Sequence, residues 1–339
     1  MGKQIGIHAR VMTALASVAF VLSWSSGFLG AKLGTGQAPV PTLLLWRYVV
    51  VTVALGAGLG VARKVRGRRR AGHPGVVHLG GAREAAHHVV VGLLSQVGYV
   101  LPVYGAIALG VSTGATSLVD AVQPVLVATL VGPVLGQRVR PLQWAGLATA
   151  FAGVAFLVSA DLRVTTAPVW AYALPATAVG SLVAATMLER RRPAALPAAP
   201  MLALHATVAT LVLAVLALAT GDVLPPADAT FWVSTVFLAL VPSLAAYGLY
   251  WSLLRRVDVT TLNALLFLVV PTTTLAGAAL FDEPLSAATG AGLVLTGLGV
   301  AAVVRAESRR RAAPAARGGK GAEDGDGDGG GDDDGPHRP

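Results

Sequence analysis

Residues 113–138 read TGATSLVDAVQPVLVATLVGPVLGQR, an apolar stretch long enough to cross a bilayer, broken by one acid and a few hydroxyls. Thr113, Thr116, Ser117, Asp120 and Gln123 recur at steps of three and four residues. A helix would carry them on one face, with Val, Leu and Ala elsewhere. An ionised carboxylate in hydrocarbon costs several kcal/mol, so Asp120 marks a polar cavity or a buried partner. The same plan returns further along the chain. Tyr104, Val111, Gln137, Gly146 and Gly153 map onto Tyr250, Val257, Glu283, Gly292 and Gly299, each 146 residues on, while Pro124 and Pro271 miss that shift by one. Two halves built on one plan are expected.

Of the 339 residues, 54% are hydrophobic and 13% charged, and the mean hydropathy is +0.67. Soluble domains average about 25% charged residues, so this balance predicts an integral membrane protein. The net charge of +9 comes from short Arg and Lys clusters between apolar runs, the pattern of membrane loops and not of a nucleic-acid surface. With no Cys, disulfides, thiolate metal sites and Cys nucleophiles are excluded.

Ten runs are each long enough to cross: 11–33, 40–62, 88–109, 112–135 and 142–159, then 168–188, 200–220, 231–254, 259–281 and 287–304. If each crosses once, Arg63, Lys64, Arg66, Arg138, Arg140, Arg190, Arg191, Arg255, Arg256 and Arg305 share one side. The other side keeps Lys32 and Arg163 with Asp161, Asp222, Asp228, Asp282 and Glu283. The positive-inside rule then places both termini in the cytoplasm, in the cell membrane. Five spans per half make the second half enter with opposite polarity, an inverted repeat. The fold expected is therefore an all-α integral membrane protein of about ten transmembrane helices in two inverted five-helix repeats. Its parts are a cytoplasmic N-terminus (1–10), a first repeat (11–159), an external linker (160–167), a second repeat (168–304) and a cytoplasmic tail (305–339). The tail, rich in Arg, Gly and Asp, has too little apolar surface to fold and reads as disordered. Its Asp/Gly run lacks the ligand spacing of a calcium loop. The Ala, Arg and Gly excess points to a bacterial chain.

Trp24-Ser25-Ser26-Gly27-Phe28, Trp46-Arg47, the Ala/Ser/Thr-rich turn leading to Pro124, Leu135-Gly136-Gln137-Arg138 and Asp282-Glu283-Pro284-Leu285 resemble, in that order, the EamA-type permeases of the drug/metabolite transporter superfamily. The resemblance covers residues 11–304. It implies two five-span repeats and a secondary transporter that moves a small organic solute, a metabolite, amino acid or drug-like compound, by alternating access. Gln137 departs from the Glu usual at that place in the family, whereas Glu283 keeps it. Competing readings are an intramembrane enzyme acting on a lipid-linked substrate and a non-transporting membrane scaffold. The sequence holds no HExxH, no Asp-rich loop and no Ser/His pairing for the first, and no folded domain beyond the membrane for the second. With no Walker motif, a gradient must drive transport.

Arg47 and Asp120 lie at similar depth, about 12 Å in from the outer end of their spans, so they are expected to pair or to share a charged site. Trp24 sits at a like depth and could stack on a ligand. Gln96 and Tyr99 follow helical spacing towards the same cavity, and Asn263 is a second-half counterpart. The candidate cavity-lining set is Trp24, Arg47, Gln96, Tyr99, Thr116, Ser117, Asp120, Gln123 and Asn263, with Asp120 as the candidate coupling group for a proton. His87, His88 and His205 lack ligand spacing and read as interfacial, so no metal and no cofactor are expected. The expected partners are the solute, the lipid bilayer and a coupling proton, with no catalytic residue. Gly290, Gly292, Gly297 and Gly299 predict a close-packing last span.

Overall fold

In hydrocarbon, backbone N–H and C=O groups have no water to bond, so each apolar run closes its hydrogen bonds within itself as a helix. The computed structural model describes residues 2–69, 81–135, 141–191, 197–254, 256 and 259–312. Its helices are α1 (Gly2–Thr35), α2 (Val40–Arg69), α3 (Ala82–Gly92), α4 (Val100–Ala108), α5 (Thr113–Asp120), α6 (Gln123–Leu135) and α7 (Pro141–Asp161) in the first half. The second half holds α8 (Ala173–Arg191), α9 (Ala198–Thr220), α10 (Ala229–Leu238), α11 (Ala246–Leu254), α12 (Val259–Phe281) and α13 (Ala287–Ala312). The pairs α3/α4, α5/α6 and α10/α11 each follow one another after a short break, so the described residues make ten helical segments, five per half, and no strand; seven of these segments are long and apolar enough to cross a membrane, and Leu265–Phe281 and Ala287–Val303 are shorter apolar helices. Val18, Leu22, Val53, Leu211, Val215 and Leu218 point outward, all more than half exposed, as side chains facing lipid do.

The repeat seen at a shift of 146 is present in the backbone. A π-helical turn at Leu93–Val97 joins α3 to α4, and another at Ala239–Ala245 joins α10 to α11, starting 146 residues later. The packing repeats as well: α4 lies on α8 as α11 lies on α1, and α5/α6 lie on α8 as α12 lies on α1. At the α7–α13 seam the symmetry operator can be read directly. A Cβ at Gly146 would meet the Gly299 carbonyl oxygen at 2.7 Å, and one at Gly153 would meet that of Gly292 at 2.7 Å. Between them the equivalent residues Ala150 and Thr296 face each other, Thr296 Oγ1 donating to Ala150 O at 3.4 Å. Equivalent helices that cross antiparallel at their own equivalent residues are related by a two-fold axis perpendicular to them. The axis lies in the plane of the bilayer, and the halves are inverted.

Two expectations change. Residues 112–135 were expected as one helix, but α5 stops at Asp120 and α6 starts at Gln123. Pro124 has no N–H to give the Asp120 carbonyl, and it is accommodated in the first turn of α6, where that donor is not needed. Pro271 causes no such break, since α12 runs through it, so the two prolines are not equivalent. The last helix runs to Ala312, past the boundary at 304. Residues 313–339 of the tail and residues 136–140, Gln137 among them, lie outside the described residues.

Candidate functional site

Where the two halves face each other, α1, α2, the α3/α4 segment, α9 and the α10/α11 segment surround a cleft of about 680 Å³, open space at its mouth included. Of the residues singled out in the sequence, Trp24, Arg47, Gln96 and Tyr99 line it, together with Tyr48, Tyr104, Ser243 and Tyr247. The π-helical turns help to position these groups. Leu93–Val97 carries Gln96, and Ala239–Ala245 carries Pro242 and Ser243. A π-turn widens the helix locally and frees hydrogen-bonding groups, a device often found at functional sites.

Arg47 is the centre of the polar part of the cleft and is 7% exposed. Its Nε and Nη2 donate to Ser243 Oγ at 3.0 and 2.9 Å, and Nη1 donates to the Tyr104 hydroxyl. Ser243 Oγ in turn donates to Leu238 O at 2.8 Å, which leaves its lone pairs for the guanidinium. The Tyr48 and Tyr104 rings lie 5.6 and 5.3 Å from the guanidinium carbon, a cation–π distance. Tyr48 donates to Gln96 Oε1 at 3.1 Å. On the apolar side Trp24 stacks obliquely on Tyr247, ring centres 5.7 Å apart, and on Phe20 at 5.5 Å.

The expected Arg47–Asp120 pair does not form. Among the described residues no carboxylate lies within ion-pair distance of Arg47, and Asp120 Oδ2 accepts from Tyr99 at 3.0 Å instead. Asp120 thus sits one layer behind Tyr99, outside the cleft lining. Thr116 and Ser117 also leave the site: buried, they donate to Ser112 O and Gly114 O of their own helix at 2.9 and 3.0 Å. Hydroxyls that bond back to the helix need no water, so a Ser/Thr stripe is a weak signal for a cavity. Gln123 opens α6, half-buried and away from the lining. Asn263 lies on α12, and its side chain falls outside the described residues.

A second polar cluster, missed as a unit in the sequence, ties together the end of α1, the start of α5, the end of α7 and the residues that follow α12. Glu283 accepts from Lys32 Nζ at 2.6 Å, from Thr113 N at 3.0 and 3.2 Å, and from Thr113 Oγ1 at 2.8 Å. Asp161 accepts from Ser112 N at 3.2 Å and from Tyr172 at 2.6 Å. The Ser112 hydroxyl caps Ala115 N at 3.0 Å. Two carboxylates and one cap therefore satisfy the N–H groups of Ser112, Thr113 and Ala115 at the start of α5, where the helix dipole also favours negative charge. The close approach needs Gly277, because a Cβ there would strike Thr113 Oγ1 and the Glu283 carboxylate.

His87, His88 and His205, read from the sequence as interfacial, lie together, His87 edge-on to His88 at 5.7 Å between ring centres and His88 tilted against His205 at 6.2 Å. Among the described residues no group of His, Asp or Glu has metal-holding geometry.

A ten-segment helical bundle with inverted halves and a polar, aromatic cleft between them defines a multi-pass membrane transporter for a small solute. The chain belongs to the EamA-like transporter family, whose model matches residues 11–159 and 169–305, one match per repeat. It is 30% identical over 258 residues to a probable terminal-alkyne amino-acid exporter of Streptantibioticus cattleyicolor, covering 76% of this chain and 81% of that one. A solved crystal structure superposes with a TM-score of 0.58 at 23% identity, over 87% of this chain and 97% of the other, and shares the fold.

Proposed function

We propose that the protein exports an amino-acid-like solute by alternating access, with the cleft around Arg47 as its transport site and both termini in the cytoplasm of a bacterial cell membrane. The observation that carries this reading is the position of the cleft, which draws its walls from both inverted repeats, so that rocking one half against the other exposes it to either side. The amino-acid assignment comes from the 30% identical exporter, and the orientation from the basic loop clusters. The Lys32–Glu283–Thr113 junction closes the outer face in this conformation and must part for release. A coupled proton gradient supplies the driving force through Asp120. The solute is carried without covalent change.

Because the chain contains no Cys, the gate can be tested cleanly. Lys32→Cys with Glu283→Cys, reconstituted in liposomes loaded with an amino-acid mixture, should lose efflux on oxidative crosslinking and regain it on reduction, and the released solutes should be unchanged in mass. Efflux that continues at full crosslinking overturns alternating access through this face.

A further inference from the structure

We infer that Arg47 is a carboxylate subsite, so that the solute is a small organic monoacid, amino acids included, whose other end is apolar. This rests on the reading of the cleft as the transport site. A guanidinium has five N–H donors. Arg47 spends three of them, two on the one Ser243 hydroxyl and one on that of Tyr104, all neutral acceptors. Two N–H groups and the full charge are left without an anionic partner among the described residues, in a side chain 7% exposed and lining the cleft. A buried charge with no counter-charge is strongly unfavourable. A bound anion supplies what the fold withholds.

The alternatives are narrowed by charge and shape. Among the described residues lining the cleft Arg47 is the one ionised side chain. One positive charge balances a carboxylate, whereas a phosphate monoester, carrying nearly two negative charges at neutral pH, would keep an uncompensated charge in a low dielectric. The planar guanidinium fork also matches a carboxylate in a way an ammonium would not. The surrounding rings of Tyr48 and Tyr104 hold the cation by its face without neutralising it. Trp24, Phe28, Val100, Leu202 and Tyr247 supply a largely apolar wall for the rest of the ligand.

The test uses the purified full-length chain and a panel of leucine, phenylalanine and 4-methylpentanoate, each against its own carboxamide, with binding read from ligand-induced shifts in thermal unfolding. The acids should bind at least tenfold more tightly than the amides, and 4-methylpentanoate should keep the preference although it lacks an ammonium. Arg47→Gln should abolish the discrimination and Arg47→Lys should restore part of it. If Arg47→Gln fails to fold, the acid-to-amide ratio of the natural protein still decides. Equal binding of acids and amides, no binding by any acid, or an unchanged preference in Arg47→Gln overturns the inference. Arg47-dependent acid binding without flux in liposomes would support the subsite while removing the transport reading. Flux of the carboxamides equal to that of the acids would leave transport standing and remove the subsite.

Discussion

Lys32 Nζ and the Glu283 carboxylate meet at 2.6 Å across 251 residues of chain, and the same carboxylate takes the Thr113 N–H and hydroxyl. One side chain thus joins the end of α1, the start of α5 and the turn after α12. The partners differ in worth. Lys32 is 32% exposed at the side chain, so the ion pair alone contributes under about 1 kcal/mol. Losing the Glu283 carboxylate leaves a Thr113 N–H without its partner, a cost of about 1–3 kcal/mol. Thermal unfolding in detergent should show Lys32→Ala mildly and Glu283→Ala strongly destabilised. The swap Lys32→Glu with Glu283→Lys should not restore stability, because an ammonium cannot accept from Thr113. Full rescue by the swap would reduce the junction to a simple charge pair.

Asp228 caps α10, accepting from Thr230 N at 2.6 Å and Phe231 N at 3.3 Å. Hydrogen bonds from Thr230 first, then the Phe231 backbone, hold its carboxyl below its ordinary value of 3.8. A carboxyl depressed on folding adds stability that is fully present above the unfolded value and lost as pH falls through the lower, folded value. Asp228→Ala should therefore lower the melting temperature at neutral pH and flatten its fall in the acid range. Parallel acid melting curves for the two proteins would show that the cap contributes nothing.

Much of this architecture is legible in the sequence, for stated reasons. The spans follow from the length of the apolar runs, and inversion follows from an odd number of spans per half. The 146-residue shift found the glycines of the α7–α13 seam before their carbonyl contacts were visible. The site was legible only in part. Trp24, Arg47, Gln96 and Tyr99 stood out as polar or aromatic groups inside apolar helices, whereas Ser243 and Tyr48 carry no mark in a single sequence. The Asp120 face was misjudged because periodicity says which residues share a face and not what that face meets. Ser and Thr hydroxyls bond to their own helix, and Asp120 found Tyr99, 21 residues away, in place of Arg47.

The glycine seam makes a direct prediction. Gly153→Ala would drive a methyl against the Gly292 carbonyl and Thr296, and Gly299→Ala would meet the Ala150 backbone. Neither obstacle is the movable end of a flexible side chain, so each should cost about 1–3 kcal/mol. Gly290→Ala, on the same helix with nothing within 4 Å, should be neutral or slightly stabilising, since Ala is the better helix former. Melting temperatures of the three variants check this. Tolerance of Ala at both 153 and 299 would mean that the two repeats do not cross at these glycines.

The sharpest prediction separates charge from scaffold at Asp120. Its Oδ2 is held by Tyr99, and its Oδ1 is buried without a partner among the described residues, so the carboxylate has a site for a proton and a neighbour that fixes its direction. Asp120→Asn keeps the shape and the Tyr99 bond but cannot ionise. If Asp120 carries the coupling proton, gradient-driven efflux from liposomes should fall at least tenfold and its pH dependence flatten, while exchange of solute for solute persists. Tyr99→Phe keeps the titrating group and loses only its orientation, so activity should drop with the pH dependence retained. The exchange Arg47→Asp with Asp120→Arg should not rescue transport, because Tyr104 and Ser243, not Asp120, hold Arg47. Rescue by that exchange would mean the two charges meet elsewhere in the transport cycle. Natural flux and pH profile in Asp120→Asn, at equal protein level, would leave Asp120 as a buried support for Tyr99 and move the coupling site to another group.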